Sequence, residues 1–306
     1  MNAFVFPGQG SQFSGMGKDL ADNFSCAKLV FEEASDALNF DLAGLCFAGS
    51  EDDLKLTANT QPAILTTSIA ALRVVEQETG LKPTYAAGHS LGEFSALVCA
   101  GALNFADAVK IVRQRGTFMQ DAVPVGVGAM AAVMGVERDA LEEICQQAAQ
   151  GEIVAPANFN SPGQIVIAGH ATAVNRAMEL AKAAGAKRAL PLPVSAPFHS
   201  ALMEPAAVKL EQVLAAVTIN PFVCPVVGNV EAKAYNSVDQ VRSLLVQQVC
   251  APVRWDESVE ELARLGVESY IEIGPGKVLS GLIKRIAKGA GTQQVDSVAS
   301  LRNLVG

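Results

Sequence analysis

The stretch TYAAGHSLGEFSALVCA at residues 84–100 decides the fold. Residues 84–88 form a short apolar run that predicts a buried strand, and residues 91–100 form a longer apolar segment that predicts a helix. Between them lies GHSLG at residues 88–92, which fits the G-x-S-x-G pattern of a sharp strand-to-helix turn. The stretch therefore predicts one strand–turn–helix unit of an α/β fold.

Strands, glycine-rich loops and helices continue to alternate on both sides of this unit. The predicted elements are strands at 3–6, 221–227 and 269–273 and helices at 16–38, 61–78, 105–121, 201–217, 238–249, 255–265 and 278–288. Such alternation predicts an α/β fold with a mainly parallel sheet.

The middle of the chain has a different pattern. Its predicted elements are a strand at 129–134, a helix at 137–150, strands at 153–158 and 164–168, a helix at 171–184 and a strand at 187–192. The order βαββαβ is that of a ferredoxin-like domain. We therefore expect a smaller ferredoxin-like domain at 125–194, which interrupts a catalytic α/β domain made of residues 1–124 and 195–306.

The composition excludes several classes of protein. Of the 306 residues, 50% are hydrophobic and 18% are charged, compared with about 25% charged residues in typical soluble domains. This balance excludes a disordered chain. The net charge of -8 and the isoelectric point near 5.0 argue against a nucleic-acid partner.

We also expect neither a membrane span nor a secretory leader. The longest uncharged runs are interrupted by Asn, Gln, Ser, Pro and Gly, and the start MNAFVFPGQG lacks a basic segment before an apolar one. The six cysteines include no CxxC pair, which favours free thiols in a reducing compartment. The expected location is the cytoplasm.

Ser90 is the candidate nucleophile because the turn would expose its hydroxyl at the end of a strand; the alternative is a serine that merely caps the helix. A serine nucleophile needs a general base, usually histidine. His89 adjoins the serine and should support the turn instead, and His170 falls in the expected insert. His199, in SAPFHS at 195–200, is therefore favoured. Because a backbone carbonyl or an amide can also orient imidazole, no carboxylate is required.

Two backbone N–H groups are candidates for stabilising an oxyanion. Leu91 opens the helix after the serine, and Gln9 lies between two glycines that allow close approach of a ligand, although such loops are often only turns. Arg115 lies among apolar residues; it is either solvated or paired with a substrate carboxylate. Neither PGQGSQ at 7–12 nor GPGK at 274–277 has the spacing of a nucleotide-binding loop.

Taken together, seven segments carry a resemblance to a known family. They are FPGQGSQ at 6–12, TQPAIL at 60–65, GHSLGEFSAL at 88–97, RGTFMQ at 115–120, SAPFHS at 195–200, PVRWDESV at 252–259 and EIGPGKVLSGLIKRI at 272–286. In this order they resemble the malonyl-CoA:acyl carrier protein transacylase family of fatty acid synthesis and the acyltransferase domains of polyketide synthases. The resemblance implies a hydrolase-like core with a ferredoxin-like insert.

The resemblance also implies catalytic roles. Ser90 matches the family's nucleophile and His199 its general base, while Gln9 and Leu91 match the backbone donors of the oxyanion hole. Gln248 aligns with the residue whose main-chain carbonyl orients the histidine.

The resemblance implies that three further residues bind substrate. Arg115 matches the arginine that pairs with the free malonyl carboxylate, and Met119 and Phe198 match the wall of the acyl pocket. Phenylalanine before the histidine is similar to the malonyl-selective form. We also expect His89 to line the substrate site.

The implied reaction transfers a malonyl group from malonyl-CoA to the phosphopantetheine thiol of holo acyl carrier protein through a malonyl-serine ester. No metal or redox cofactor is expected, and we expect a monomer. The alternatives are a serine thioesterase or esterase on the same core, an acyltransferase that serves a polyketide synthase, and a non-catalytic carrier-binding protein. Because carrier proteins are acidic, docking on this acidic chain needs a local basic patch; the candidates are Lys182, Lys187 and Arg188, or Lys284, Arg285 and Lys288.

Overall fold

The computed structural model describes residues 1–194 and 196–305. Ser195, the first residue of the SAPFHS motif and of the second predicted catalytic segment, lies outside the described residues, as does Gly306. The described chain is a mixed α/β protein with two five-stranded sheets. The strands are β1 Asn2–Phe6, β2 Tyr85–Gly88, β3 Gly128–Met134, β4 Val154–Ser161, β5 Gln164–His170, β6 Arg188–Pro191, β7 Val226–Val227, β8 Val253–Arg254, β9 Ser269–Ile273 and β10 Gly291–Val295.

Helices surround both sheets. They are α1 Lys18–Asn23, α2 Ser25–Leu38, α3 Leu42–Ala48, α4 Glu51–Lys55, α5 Thr57–Thr79, α6 Leu91–Cys99, α7 Phe105–Asp121, α8 Arg138–Ala149, α9 Ala171–Ala183, α10 Glu204–Ala215, α11 Asp239–Gln248, α12 Trp255–Arg264, α13 Val278–Ile286 and α14 Val298–Val305, with a short 3-10 turn at Ala201–Met203 before α10. None of the helices in the described ranges is long and apolar enough to cross a membrane.

The first sheet, called here the parallel sheet, has the strand order β10-β9-β1-β2-β7. Every neighbouring pair in it is parallel. Ala3, Phe4, Val5 and Phe6 of β1 are fully buried, as expected for a strand covered by helices on both faces. Because β1 and β2 end side by side, the loop after Phe6 and the turn after β2 meet at one edge of the sheet.

The second sheet, called here the mixed sheet, has the order β6-β3-β5-β4-β8. β3 is antiparallel to β5 and β6, and β4 is antiparallel to β5. β8 pairs in parallel with β4, so residues 253–254 join this sheet from a distant part of the sequence. Apolar side chains of α8 and α9, such as Leu141 and Ala177, pack against its strands.

Some elements differ from the expectation for identifiable reasons. The predicted helix 16–38 is divided at Phe24, which is extended with φ -130°. The predicted strand 221–227 pairs only at its end, since proline at 221 and 225 cannot donate to a ladder. The predicted helix 61–78 starts earlier, at Thr57. α3, α4, β8, β10 and α14 were not predicted; β10 is a polar edge strand with only its last residue buried.

Helix α6 is the most deeply enclosed of the elements that reach the serine turn. All of its residues are buried, including the polar Glu93 and Ser95. Burial of a side chain such as Phe94 contributes roughly 1.5–3 kcal/mol to the free energy of folding. The turn before α6 is therefore attached to a helix that the core holds in place.

Candidate active site

The turn at Ser90 requires close backbone contacts. Ser90 has φ 51° and ψ -105°, between the end of β2 and the start of α6. A Cβ atom at Gly88 would lie 1.9 Å from the carbonyl of Gly92, and one at Gly92 would lie 2.1 Å from the carbonyl oxygen of Phe6. Both glycines are needed because the backbone segments pass so close to one another here that no side chain would fit between them.

Asn229 holds this strained turn from the neighbouring edge. The backbone N–H of Ser90 donates to Asn229 Oδ1 at 2.7 Å. Asn229 Nδ2 donates in return to the carbonyl oxygen of Gly88 at 2.7 Å. Its own backbone N–H donates to Glu93 Oε2 at 3.0 Å. Surrounding bonds of this kind keep a strained backbone conformation in place.

The Ser90 hydroxyl meets His199. Ser90 Oγ lies 2.7 Å from His199 Nε2. His199 Nδ1 lies 2.7 Å from the main-chain carbonyl oxygen of Gln248. Because a carbonyl only accepts, Nδ1 carries the proton and Nε2 presents its lone pair to the hydroxyl. His199 also has a positive φ, 58°, so both partners hold conformations that ordinary residues avoid.

His199 is neutral at physiological pH. Burial, followed by the positive charge of Arg115, lowers the pKa of its imidazole to about 3. A neutral imidazole can accept the serine proton, which is what a general base requires.

The other two histidines have different contacts. His89 Nε2 lies 2.8 Å from Asn160 Oδ1 on β4, so its side chain joins the serine turn to the mixed sheet. His170 Nδ1 accepts from the backbone N–H of Ile153 at 2.9 Å, at the end of β5.

Gln9 and Leu91 flank the space in front of the serine. Both line the cavity that contains Ser90 and His199. In the part of the chain that the structure describes, neither backbone N–H donates to another protein atom. Two vacant donors beside a serine are what an oxyanion hole needs.

Arg115 on α7 brings a buried positive charge to the serine. Its side chain is 1% exposed. It donates to Gln61 Oε1 at 2.7 Å, to Gln248 Oε1 at 2.9 Å and to Ser90 Oγ at 3.2 Å. Its Nε has no partner among residues 1–194 and 196–305. Burial lowers the pKa of the guanidinium to about 10, against a weaker raising effect of Glu93, so it stays charged at neutral pH.

These residues surround a cavity of about 110 Å³, which suits a short acyl group. Met119 and Phe198 are buried in its wall, as is most of the lining. The wall also includes Met130 and Asn158 of the mixed sheet. The cavity therefore lies between the mixed sheet and the loops that follow β1 and β2 of the parallel sheet. Among residues 1–194 and 196–305, the lining consists of Gln9, Gln61, His89, Ser90, Leu91, Arg115, Met119, Met130, Asn158, Leu192, Val194, Phe198 and His199.

The residues of the site that the sequence analysis does not single out include Gln61, Glu93 and Asn229. Gln61 belongs to the TQPAIL motif and Glu93 to GHSLGE, so a motif signal existed for both. Asn229 lies in no motif, because its contacts with the turn join positions 139 and 141 residues apart.

The glycine-rich GPGK loop has no vacancy for a phosphate. The buried carboxylate of Glu272 accepts from the backbone N–H groups of Leu279 and Ser280, at 3.0 and 2.7 Å. A protein side chain thus already occupies the start of α13, where a phosphate would bind. Among the described residues, no three His, Cys, Asp or Glu side chains converge as metal ligands.

A serine hydroxyl bonded to a neutral imidazole, beside two vacant N–H donors, is suited to form an ester with an acyl group. A family model described as an acyl transferase domain matches residues 3–303. The chain belongs to the acyl transferase domain family.

Members of the family with solved structures or curated names resemble this acyl transferase closely. It is 55% identical to the malonyl CoA-acyl carrier protein transacylase of Escherichia coli (strain K12) over 284 residues, 93% of this chain and 92% of that protein. An acyl carrier protein S-malonyltransferase from Vibrio cholerae has a TM-score of 0.97 at 51% identity and 99% coverage of both chains. A malonyl-transacylase solved in complex with its type II PKS acyl-carrier protein has a TM-score of 0.96 at 50% identity, covering 99% of this chain and 98% of that chain.

Proposed function

We propose that this acyl transferase moves a malonyl group from malonyl-CoA to the phosphopantetheine thiol of holo acyl carrier protein and so supplies fatty acid synthesis. The observation that carries the proposal is Arg115. A buried guanidinium 3.2 Å from Ser90 Oγ, with neutral oxygens as its acceptors, suits an acyl group that ends in a carboxylate. The curated Escherichia coli relative is named for this transfer.

In the first step, the Ser90 oxygen attacks the thioester carbonyl carbon of malonyl-CoA while its proton moves to His199 Nε2. The backbone N–H groups of Gln9 and Leu91 stabilise the oxyanion. The carbon–sulfur bond then breaks, the CoA sulfur takes the proton from His199, and a malonyl-serine ester remains. Removal of one oxyanion donor typically costs about 10²–10³ in rate.

In the second step, His199 takes the proton of the carrier's phosphopantetheine thiol. The sulfur attacks the malonyl-serine ester, and Ser90 leaves with the proton held by His199. The free enzyme is regenerated, and the steps need neither a metal nor a redox cofactor.

The remaining site residues position these groups. The Gln248 carbonyl fixes the His199 tautomer, and His89 holds the turn against the mixed sheet through its bond to Asn160. Met119 and Phe198 limit the size of the acyl group, which favours malonyl over a branched acyl group.

We further propose that residues 1–124 and 195–306 form a hydrolase-like catalytic domain and that residues 125–194 form a ferredoxin-like insert. The strand order β6-β3-β5-β4 with antiparallel neighbours supports the insert. A monomer in the cytoplasm is part of the same proposal. One chain supplies every contact of the Ser90–His199 site, and the six cysteines are free thiols.

The carrier protein would dock on one of two exposed basic clusters. In the first, Lys182 is already paired with Glu179 at 2.8 Å. In the second, Arg285 donates to the neutral Gln164, so its charge is free to meet an acidic partner. We favour the second cluster, Lys284, Arg285 and Lys288.

A polyketide acceptor is the second candidate, because one similar solved structure pairs a malonyl-transacylase with a type II PKS acyl-carrier protein. Transfer rates to carrier proteins of the two kinds separate these candidates.

The proposed reaction is tested by trapping the ester. The protein is incubated with labelled malonyl-CoA and digested, and the peptide that carries the label is identified. We expect the label on Ser90, its loss in Ser90→Ala, and its transfer to holo acyl carrier protein on chase. Ser95→Ala is the matched control, since Ser95 is buried on α6, directly after the Ser90 turn, and its hydroxyl has no partner among the described residues. Label on another residue, or release of free malonate as fast as transfer, would contradict the proposal and favour a thioesterase.

A further inference from the structure

Behind Arg115, the side chain of Gln248 connects the guanidinium to a buried carboxylate. Arg115 donates to Gln248 Oε1 at 2.9 Å. Gln248 Nε2 donates to Glu93 Oε2 at 2.7 Å. All three side chains are 1% exposed or less. The catalytic mechanism uses the main-chain carbonyl of Gln248 and makes no use of this side-chain connection.

The donor and acceptor inventory fixes the direction of each bond. A guanidinium has no acceptor, so the amide oxygen of Gln248 must face Arg115. Its NH2 group then faces Glu93, which must accept. Tyr235 and the backbone N–H of Asn229 also donate to this carboxylate. Every neighbour of Glu93 in this network is therefore a donor, which suits the ionised form.

Burial opposes the ionised form of Glu93, and its hydrogen-bond donors and the nearby Arg115 charge favour it. Burial raises the pKa of the Glu93 carboxyl, and the hydrogen bonds from Tyr235 and Gln248 lower it in part. The Arg115 charge acts in the same direction as those bonds. A buried cation and a buried anion thus lie on opposite sides of one amide, that of Gln248, which bonds to both.

We propose that Glu93 is a positioning residue that holds Arg115 through the Gln248 amide and, by its charge, limits the affinity of the site for acyl groups that carry a carboxylate. The inference rests on the proposed malonyl transfer. A substrate carboxylate and Glu93 compete for the same positive charge, because the guanidinium lies between them. An acyl group without a carboxylate does not take part in this competition.

Glu93→Gln removes the charge of the side chain and keeps its shape. The new amide oxygen can accept from Gln248 and Asn229, and the new NH2 group can donate to the Tyr235 oxygen, so the network keeps its bonds and loses its charge. We expect kcat/KM for malonyl-CoA to rise about fivefold relative to acetyl-CoA, because one anion no longer competes with the substrate. Glu93→Asp keeps the charge and should leave the ratio near that of the wild-type enzyme.

The pH profile provides a second readout. Removal of an anion lowers the pKa of Arg115 from its value near 10, so the alkaline fall of malonyl transfer should start at lower pH in Glu93→Gln. The other titratable groups near Arg115 are His199, His89 and Tyr235, and they affect acetyl transfer as well. The acetyl profile is therefore the internal control.

Glu272→Gln is the matched control for the loss of a buried carboxylate. Glu272 is fully buried but caps α13 and does not line the cavity. Glu272→Gln should leave the ratio of kcat/KM for malonyl-CoA to that for acetyl-CoA unchanged. An unchanged ratio in Glu93→Gln, or an equal loss for both acyl groups, would overturn the inference. A wild-type enzyme that transfers no malonyl would instead refute the proposed function.

Discussion

Arg115 is a buried cation whose acceptors in the free protein are two amide oxygens and a hydroxyl. Charge-assisted hydrogen bonds to a carboxylate contribute about 1.5–3 kcal/mol each. We therefore expect Arg115→Ala to lower kcat/KM for malonyl-CoA about 100-fold, and to change that for acetyl-CoA far less. Steady-state kinetics with both acyl-CoA substrates give the comparison.

Arg113→Ala is the matched control on the same helix. The Arg113 guanidinium packs on the ring of Phe40 and donates to Asn59, and it does not line the cavity. This variant should keep the malonyl-to-acetyl ratio. If Arg115→Ala reduces both substrates equally, Arg115 does not select acyl groups by charge.

The sequence predicts residues best where a local pattern defines them. The serine turn is such a case, since G-x-S-x-G demands small residues on both sides of Ser90. The acceptors of Arg115 are not local: Gln61 is 54 positions away and Gln248 is 133. Contacts at that separation depend on the tertiary fold. Composition and spacing alone therefore could not decide whether Arg115 is solvated or paired with a carboxylate.

At the scale of elements, Gly92, the second residue of α6, lets the helix pack closely against β1 and so holds Ser90 in position. Gly92 touches the carbonyl of Phe6 on β1, where a Cβ atom would lie 2.1 Å from the oxygen. Gly92→Ala must push β1 and α6 apart, so we expect a loss of about 3 kcal/mol or more in the free energy of unfolding, with slower formation of the acyl-serine. Chemical denaturation and the rate of labelling by malonyl-CoA provide the two measurements.

Gly281 in α13 supplies the opposite case. A Cβ atom there meets nothing within 4 Å, so Gly281→Ala should stabilise the protein by up to about 1 kcal/mol through helix propensity. If Gly92→Ala and Gly281→Ala change the free energy of unfolding in the same way, helix propensity and not contact with β1 determines the effect of substituting Gly92.

Elements were predictable where the chain is regular and apolar. α7 and β9 have the bounds expected from the sequence, residues 105–121 and 269–273. β10 escaped prediction because its GTQQV sequence lacks an apolar pattern and only its pairing with β9 makes it a strand. β8 is two residues long, and its partner β4 lies about a hundred positions earlier.

At the scale of the whole molecule, the cavity needs the two sheets in one arrangement. Gln9 and Ser90, which follow strands of the parallel sheet, line one side, and Met130 and Asn158 of the mixed sheet line the other. An ion-pair cluster joins the sheets. Arg138 on α8 contacts Asp256 at 3.1 Å and Glu257 at 2.5 Å, both on α12. The Arg138 guanidinium also lies 3.8 Å from the ring centre of Phe159 on β4.

The position of Phe159 connects this cluster to the active site. Its neighbour Asn158 lines the cavity, and its other neighbour Asn160 bonds to His89 in the serine turn. A shift of β4 therefore moves one wall of the site without touching Arg115. Loss of Arg138 should weaken transfer of every acyl group to the same extent.

We expect Arg138→Met to lower the free energy of unfolding by about 1–2 kcal/mol, since the pairs are half-buried and share one cation. Added salt should reduce that difference, because screening weakens the pairs already in the wild-type protein. Lys182→Met is the control: its partner Glu179 has a side chain that is 74% exposed, and such surface pairs contribute little. Denaturation at low and high salt, with malonyl and acetyl transfer measured on the same samples, tests both parts. A selective loss of malonyl transfer in Arg138→Met would contradict this account, because the cluster touches β4 and α12 and leaves the charge that recognises a carboxylate in place.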